Sequence, residues 1–344
     1  MINNPTKLLF LTTLMMSTIL SISSNSWFSA WIGLEVNLLS FIPLMTNTSN
    51  VASTEASLKY FLTQALASAT LLFSIIFAAL TFSMIHSLLI SNLFLNTLIN
   101  SSLLLKMGAA PFHFWFPGVM EGLSWSNSLI LMTWQKIAPL ILLSYNLTLN
   151  TFTVFIIVMS ILIGSLGGLN QTSLRKILAY SSINHLGWLI SALLIGGFAW
   201  NTYFILYTLL TATAIFMFDS FKISHLNQAF SFHSIHPISK FFLFCSLLSL
   251  GGLPPFLGFL PKWIVIQNMV ELGLIPLISV MVVLTLMTLF YYLRVTFSAF
   301  MLSYSETTWH SSPLEMSHRF YLTIILGMTS AFGLVLSSLV AHFL

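Results

Sequence analysis

Apolar residues run along this chain in stretches of about 20, the length that crosses the hydrocarbon core of a bilayer as an α-helix. The stretches fall at 5–22, 27–45, 57–80, 92–120, 125–147, 150–169, 174–196, 200–221, 239–270, 274–302 and 320–343. They are hydrophobic all round rather than striped, so each helix meets lipid or another helix on every face. Short polar linkers such as SISSNS, TNTSNVAST and NQTS separate them. The longest loops, around Lys222 to Ser239 and Ser303 to Arg319, are too short to hold a soluble domain. The pattern predicts an all-α polytopic membrane protein with about eleven transmembrane helices.

Two stretches depart from the rule. The one at 92–120 contains KMGAAPFHFWFPG and the one at 239–270 contains LGGLPPFLGFLPKW. Each is too long for one straight crossing at about 1.5 Å per residue, and Gly and Pro interrupt both. Broken spans at matching places in two halves point to an internal repeat with a site at the breaks. Pro111 and Pro255 are 144 residues apart, and the spans beginning near Pro5 and Asn150 are 145 apart. The expected organisation is a single membrane domain over 1–344, with a first five-helix repeat at 1–148 and a second at 149–303. A loop and terminal helix at 304–344 complete it. Five is odd, so the two repeats would be inverted relative to each other, with one broken helix each.

Composition sharpens this picture. Of 344 residues, 5% are charged and 57% hydrophobic, and the mean hydropathy is +0.97. A soluble domain carries about 25% charged residues. Eleven Lys and Arg against seven Asp and Glu cannot build a water-facing surface of this size. The net charge of +4 is scattered, with no basic run longer than Arg175-Lys176, which argues against a nucleic-acid partner. The single cysteine, Cys245 in FFLFCSLLSL, reads as a small buried hydrophobe. Alone it supports no internal disulfide, iron–sulfur cluster or four-cysteine zinc site. The opening MINNPTK runs straight into an apolar helix without a small-residue cleavage site, so no cleavable signal is expected.

The basic residues also orient the chain. With an odd number of spans, Lys7, Lys59, Arg175, Lys176, Lys222, Lys240, Arg294 and Arg319 all fall at or beside loops on the N-terminal face. The loops at 21–26, 81–91, 148–149 and 197–199, on the other face, carry no Lys or Arg. The positive-inside rule then puts the N-terminus on the side where the chain is made.

Four charges fall within or beside the spans. Glu35 lies in SAWIGLEVNLLSFIPL, Lys136 at the middle of SLILMTWQKIAPLILLSY, and Lys106 and Lys262 flank the two breaks. Each buried charge costs at least roughly 2.5–3.5 kcal/mol on insertion scales. For Lys7, Lys59, Lys222, Lys240 and Arg319, near span ends, a snorkelling stem accounts for the charge, and Lys59 has Glu55 at i, i+4 as well. Lys136 cannot snorkel, because its side chain reaches about 6 Å and the core half-thickness is about 15 Å. Three lysines and a glutamate in a low-dielectric interior cannot all be charged comfortably, which makes them a physically sensible proton relay. His185, in AYSSINHLGWLI, falls 150 residues after Glu35, close to the repeat offset. It fits either the polar link of the second half or a core histidine bonded to a hydroxyl. His225, His233 and His236 have a loose metal-site look, but their loop lacks Cys and has only Asp219 nearby, so a solvated loop is expected. Neither GxGxxG nor a Walker sequence is present.

The segments LLLKMGAAPFHFWFPGVMEGLSW, LMTWQKIAPL, GGLNQTSLRKILAYSSINHLGWL, LGGLPPFLGFLPKW and GLEVNLLSFIPL are spread from the second span to the ninth, over roughly two-thirds of the chain. In them the chain resembles the chain 2 family of NADH:ubiquinone oxidoreductase, the mitochondrially encoded, antiporter-like membrane subunits of respiratory complex I. The resemblance implies inverted five-helix repeats around a central polar axis. It implies that Glu35 pairs with Lys106, that Lys136 is the central relay, and that Lys262 lies toward the exit or a neighbouring subunit. It further implies the mitochondrial inner membrane, with the N-terminus in the matrix and the C-terminus in the intermembrane space. Subunits 4L and 4 would be neighbours, and lipid, including cardiolipin, a companion. NADH, FMN, the iron–sulfur clusters and ubiquinone would be bound by other subunits, with no cofactor in this chain. The function implied is proton translocation coupled to electron transfer from NADH to ubiquinone. A stand-alone Na⁺ or K⁺ antiporter, or a spacer whose charges only lock helices together, are the other two classes these residues allow.

Overall fold

The computed structural model describes residues 5–47, 50–84, 89–226, 228, 237–301 and 318–343. These residues are helical nearly throughout, as the apolar stretches predict. They form two compact units, 1–156 and 157–344.

The first unit holds α1 (Pro5–Ser23), α2 (Trp27–Met45), α3 (Val51–Met84), α4 (Leu89–Met107), α5 (Trp115–Gly122), α6 (Trp125–Met132) and α7 (Trp134–Asn146). Pro5 opens α1, where its missing N–H costs nothing. Ser26 caps α2 by accepting from the Ser29 amide at 3.3 Å. α1 and α2 cross so closely that a methyl on Gly33 would lie 2.8 Å from Ser21. Only small residues permit that approach. α3 starts at Val51 rather than 57, because its polar first turns are helical too. There Lys59 meets Glu55 at 2.6 Å, an exposed i, i+4 pair that the spacing predicts.

The span expected at 125–147 is present as two helical pieces that meet at Thr133, where α6 ends and α7 begins. Pro139 explains this: it has no N–H for the Gln135 carbonyl, and its ring pushes on the turn before it. The two pieces together, Trp125–Asn146, still have the length and apolarity of one crossing.

Helix α8 (Thr151–Gly167) runs from the end of the first unit into the second. The second unit continues with α9 (Leu174–Ile195), α10 (Gly197–Phe221), α11 (Pro237–Gly251), α12 (Phe259–Glu271), α13 (Ile275–Met301) and α14 (His318–Phe343). α9 is its central helix, 83% buried over its most apolar window. Gly164 of α8 abuts the Asn184 backbone, and Gly187 of α9 abuts Ser160. Outward-facing Val283, Leu286, Phe290 and Phe297 on α13 suit a hydrocarbon solvent. Seven helical segments among the described residues, the α6–α7 pair counted as one, are long and apolar enough to cross a bilayer.

Both expected breaks are present. α4 stops at Met107 and helix resumes at Trp115; α11 stops at Gly251 and helix resumes at Phe259. Gly108 (φ +74°) and Gly252 (φ +85°) turn the chain out of each helix in the left-handed conformation that glycine adopts without a Cβ penalty.

Candidate functional site

A helix that ends at membrane depth leaves its last carbonyls without intrahelical donors, and lipid supplies none. In the first unit the protein supplies them. Leu104 O accepts from the Ala109 amide at 3.1 Å, and Leu105 O from the Gly108 amide at 3.2 Å. The Trp115 indole also donates to Leu105 O at 3.1 Å, and the buried Gln64 amide on α3 donates to Lys106 O at 3.1 Å. Lys106 itself is 7% exposed and sits in the last turn of α4, where the negative end of the helix dipole favours a cation. Glu35 on α2 is half-buried; its carboxylate acts on the Lys106 ammonium through space, without direct contact.

Lys136 is 1% exposed and lies in the first turn of α7, just past the interruption at Thr133. Its ammonium stands 5.4 Å from the centroid of the Phe116 ring, a cation–π contact with the helix that follows the break. Desolvated contacts of this kind contribute about 2 kcal/mol. Lys106 and Lys136 line one cavity of about 20 Å³, with Asn37, Tyr60, Gln64 and Gln135 among its polar wall. Gln135 donates to Asn37 Oδ1 at 3.0 Å across the cavity wall. A water needs about 10–15 Å³ and two to four polar partners, and the cavity offers both. The structure therefore brings Lys106, Lys136 and, at longer range, Glu35 together.

Lys262 and His185 lie in the second unit. Lys262 is 6% exposed on the first turn of α12 and donates to the Gly251 carbonyl at 2.7 Å. Here a lysine rather than an amide satisfies the last carbonyl of the broken helix. Next to it, the Gly252 amide reaches the Leu248 and Ser249 carbonyls at 3.1 and 3.0 Å. His185 on α9 is buried, with Nδ1 2.9 Å from the Tyr203 hydroxyl and its ring 5.1 Å from that of Tyr207.

Sequence reasoning passed over Asn37, Tyr60, Gln64, Phe116 and Gln135. The usable signal was an amide within an apolar span, since a carboxamide in lipid needs a partner as surely as a charge does. Of the three loop histidines only His225 is described, in an isolated β-bridge with Ser173; His233 and His236 lie outside the described residues. Among those residues, no group of three His, Cys, Asp or Glu could hold a metal ion.

Broken helices in a chain of apolar spans, each with a buried lysine at the break, are the pattern of an ion-translocating membrane protein. The family model described as NADH:quinone oxidoreductase/Mrp antiporter, TM matches residues 24–288. The chain is 57% identical to NADH-ubiquinone oxidoreductase chain 2 of Aedes aegypti over 96% of its length and 97% of that protein. With the same protein of Locusta migratoria it is 47% identical over 98% of each. A chain of respiratory complex I from Thermus thermophilus with bound aureothin superposes with a TM-score of 0.82 at 25% identity, over 95% of this chain and 77% of that one. A chain of the Mrp complex from Dietzia shares the fold, with a TM-score of 0.74 at 19% identity over 90% and 64%. The chain belongs to the NADH-ubiquinone oxidoreductase chain 2 family.

Proposed function

We propose that the chain is a membrane-arm subunit of respiratory complex I that takes part in proton translocation coupled to electron transfer from NADH to ubiquinone. In this reading Glu35, Lys106, Lys136, His185 and Lys262 form the proton path. The observation that carries it is the shared cavity of Lys106 and Lys136: two buried lysines around space for a water can exchange a proton without exposing either to lipid. Glu35 acts on Lys106 through space. Redox chemistry belongs to other subunits of the complex. The boundary between compact units at 156–157 supports two repeats divided near 148–149. The charge distribution supports an N-terminus in the matrix and a C-terminus in the intermembrane space of the mitochondrial inner membrane. Subunits 4L and 4 are the proposed neighbours, and cardiolipin a proposed lipid at the basic face.

The test is a pair of variants. Lys136→Met keeps the stem and removes the titrating group, so the complex assembles while NADH:quinone turnover and proton translocation fall together. Lys136→Arg also fails, because guanidinium does not release its proton at pH 7. A spacer predicts the reverse order, with Arg tolerated and Met destabilising. Normal turnover and proton yield in the Met variant would remove Lys136 from the path.

A further inference from the structure

We propose that the hydrogen bond from Gln135 to Asn37 is a positioning latch, which holds the Lys136-bearing turn of α7 on α2 so that Lys136 and Lys106 line one cavity. This rests on the reading of that cavity as a site of proton exchange. It adds two residues that act through Lys136 and carry no proton themselves.

The turn that carries Lys136 is poorly tied by its own backbone. The first amides of a helix have no intrahelical acceptor, and here the Lys136 amide reaches the Thr133 carbonyl at 3.3 Å. Thr133 itself is committed to α6: its amide and its hydroxyl both donate to the Leu129 carbonyl, at 3.0 and 2.7 Å. Its side chain gives α7 no cap. One turn later, Pro139 brings no N–H to the Gln135 carbonyl. A turn with so few internal bonds takes its position from its neighbours. Gln135 reaches out of it, donating through Nε2 to Asn37 Oδ1 on α2 at 3.0 Å, across 98 residues of sequence. Gln135 and Lys136 are adjacent in one turn, so fixing the first side chain fixes the direction in which the second leaves the helix.

The bond also sets which polar groups the site keeps open. It uses one donor of Gln135 and one acceptor of Asn37, and leaves the Gln135 oxygen to accept and the Asn37 amide to donate. Among the described residues, no hydrogen-bond partner is present for Gln135 Oε1, Asn37 Nδ2, Gln64 Oε1 or the Lys106 ammonium. Asn37, Gln64 and Lys106 are nevertheless more than nine-tenths buried, and all four residues line the cavity of about 20 Å³ with Lys136. Buried polar groups are costly to leave bare, and a cavity of this size with these donors and acceptors fits one water. The latch therefore fixes both the lysine and the sense in which a water beside it is bonded. Carboxamides suit the task because they do not titrate, so they orient without competing for the proton. As a packing device the pair would have an apolar substitute of nearly equal stability. As a latch it has none.

The test uses the assembled complex in membrane vesicles with Gln135→Met, Gln135→Asn, Lys136→Met and the double exchange Asn37→Gln with Gln135→Asn. Gln135→Met keeps the stem and removes the donor, and NADH:quinone turnover per assembled complex is expected to drop at least fivefold. The solvent deuterium isotope effect on turnover should rise, because proton exchange becomes the slow step. Lost packing alone lowers the amount of complex and leaves that ratio unmoved. Gln135→Asn falls one methylene short of Asn37 and is expected to be impaired as well. The double exchange restores the combined reach of the two carboxamides and is expected to recover most of the turnover. Should Gln135→Met fail to assemble, Gln135→Asn and its rescue carry the same test. Wild-type turnover and isotope effect in Gln135→Met, or a double exchange no better than Gln135→Asn alone, beside an impaired Lys136→Met, overturns the latch and leaves the proton site standing. Wild-type behaviour of Lys136→Met defeats the reading of the cavity on which the latch rests.

Discussion

Gly252→Ala probes the second break where backbone and ammonium meet. Gly252 sits at φ +85°, and a left-handed alanine costs about 1–2 kcal/mol. Its new methyl would also lie 2.8 Å from Lys262 Nζ and 3.0 Å from Cδ. The lysine end is flexible and would yield, but yielding draws Nζ away from the Gly251 carbonyl, now 2.7 Å distant. A hydrogen bond to a charged group contributes about 1.5–3 kcal/mol, so the two effects together reach roughly 2.5–5 kcal/mol.

The two contributions separate in a double-mutant cycle. Lys262→Met already removes the hydrogen bond, so adding Gly252→Ala then costs only the backbone strain of about 1–2 kcal/mol. The pair is expected to be sub-additive by the value of the bond, about 1.5–3 kcal/mol. The measurement is the level of assembled complex on native gels and its thermal inactivation midpoint, for wild type, both single variants and the double. Gly118→Ala is the control, since nothing lies within 4 Å of a methyl there and φ is ordinary. It is expected to match wild type or gain slightly. Strict additivity, or a Gly252→Ala complex that assembles and melts as wild type, would refute the geometry of the break.

Two further outcomes are expected. Gln64→Leu strips the donor from the Lys106 carbonyl at the end of α4 and leaves a buried acceptor bare, at a cost of about 1–3 kcal/mol; native-gel assembly and thermal midpoint should both fall, and an unchanged midpoint counts against the capping account. Cysteines placed near each terminus should react with a membrane-impermeant reagent from opposite faces, against a quiet background because Cys245 is buried; labelling of both from one face would end the odd-span topology.

What the sequence made legible was whatever violates the rules of a lipid-facing helix. Gly108, Pro111, Gly252 and Pro255 announced the breaks because neither residue type continues a helix without loss. Lys136 stood out because no snorkelling geometry rescues it. The interruption at Thr133 was hidden, since its cause, Pro139, lies six residues further on and membrane helices often carry proline without breaking. The cavity wall was hidden for another reason. Asn37, Gln64 and Gln135 come from three helices, and only packing shows that they face the same space.

The two breaks also differ in a way that matters for proton transfer. In the first unit the carbonyls at the end of α4 are satisfied by backbone amides, an indole and the Gln64 carboxamide. Among the described residues no backbone carbonyl holds the Lys106 ammonium, so its proton can leave without unsettling the helix end. In the second unit Lys262 is itself the cap on Gly251. Losing a proton there turns a charge-assisted bond into a neutral one, roughly half as strong. Proton occupancy at Lys262 is therefore tied to how firmly α11 is held at its broken end, while at Lys106 it is not. A charge change reaching Lys262 would loosen or tighten a backbone junction at membrane depth. That is the kind of two-state element through which one part of a membrane complex can influence another.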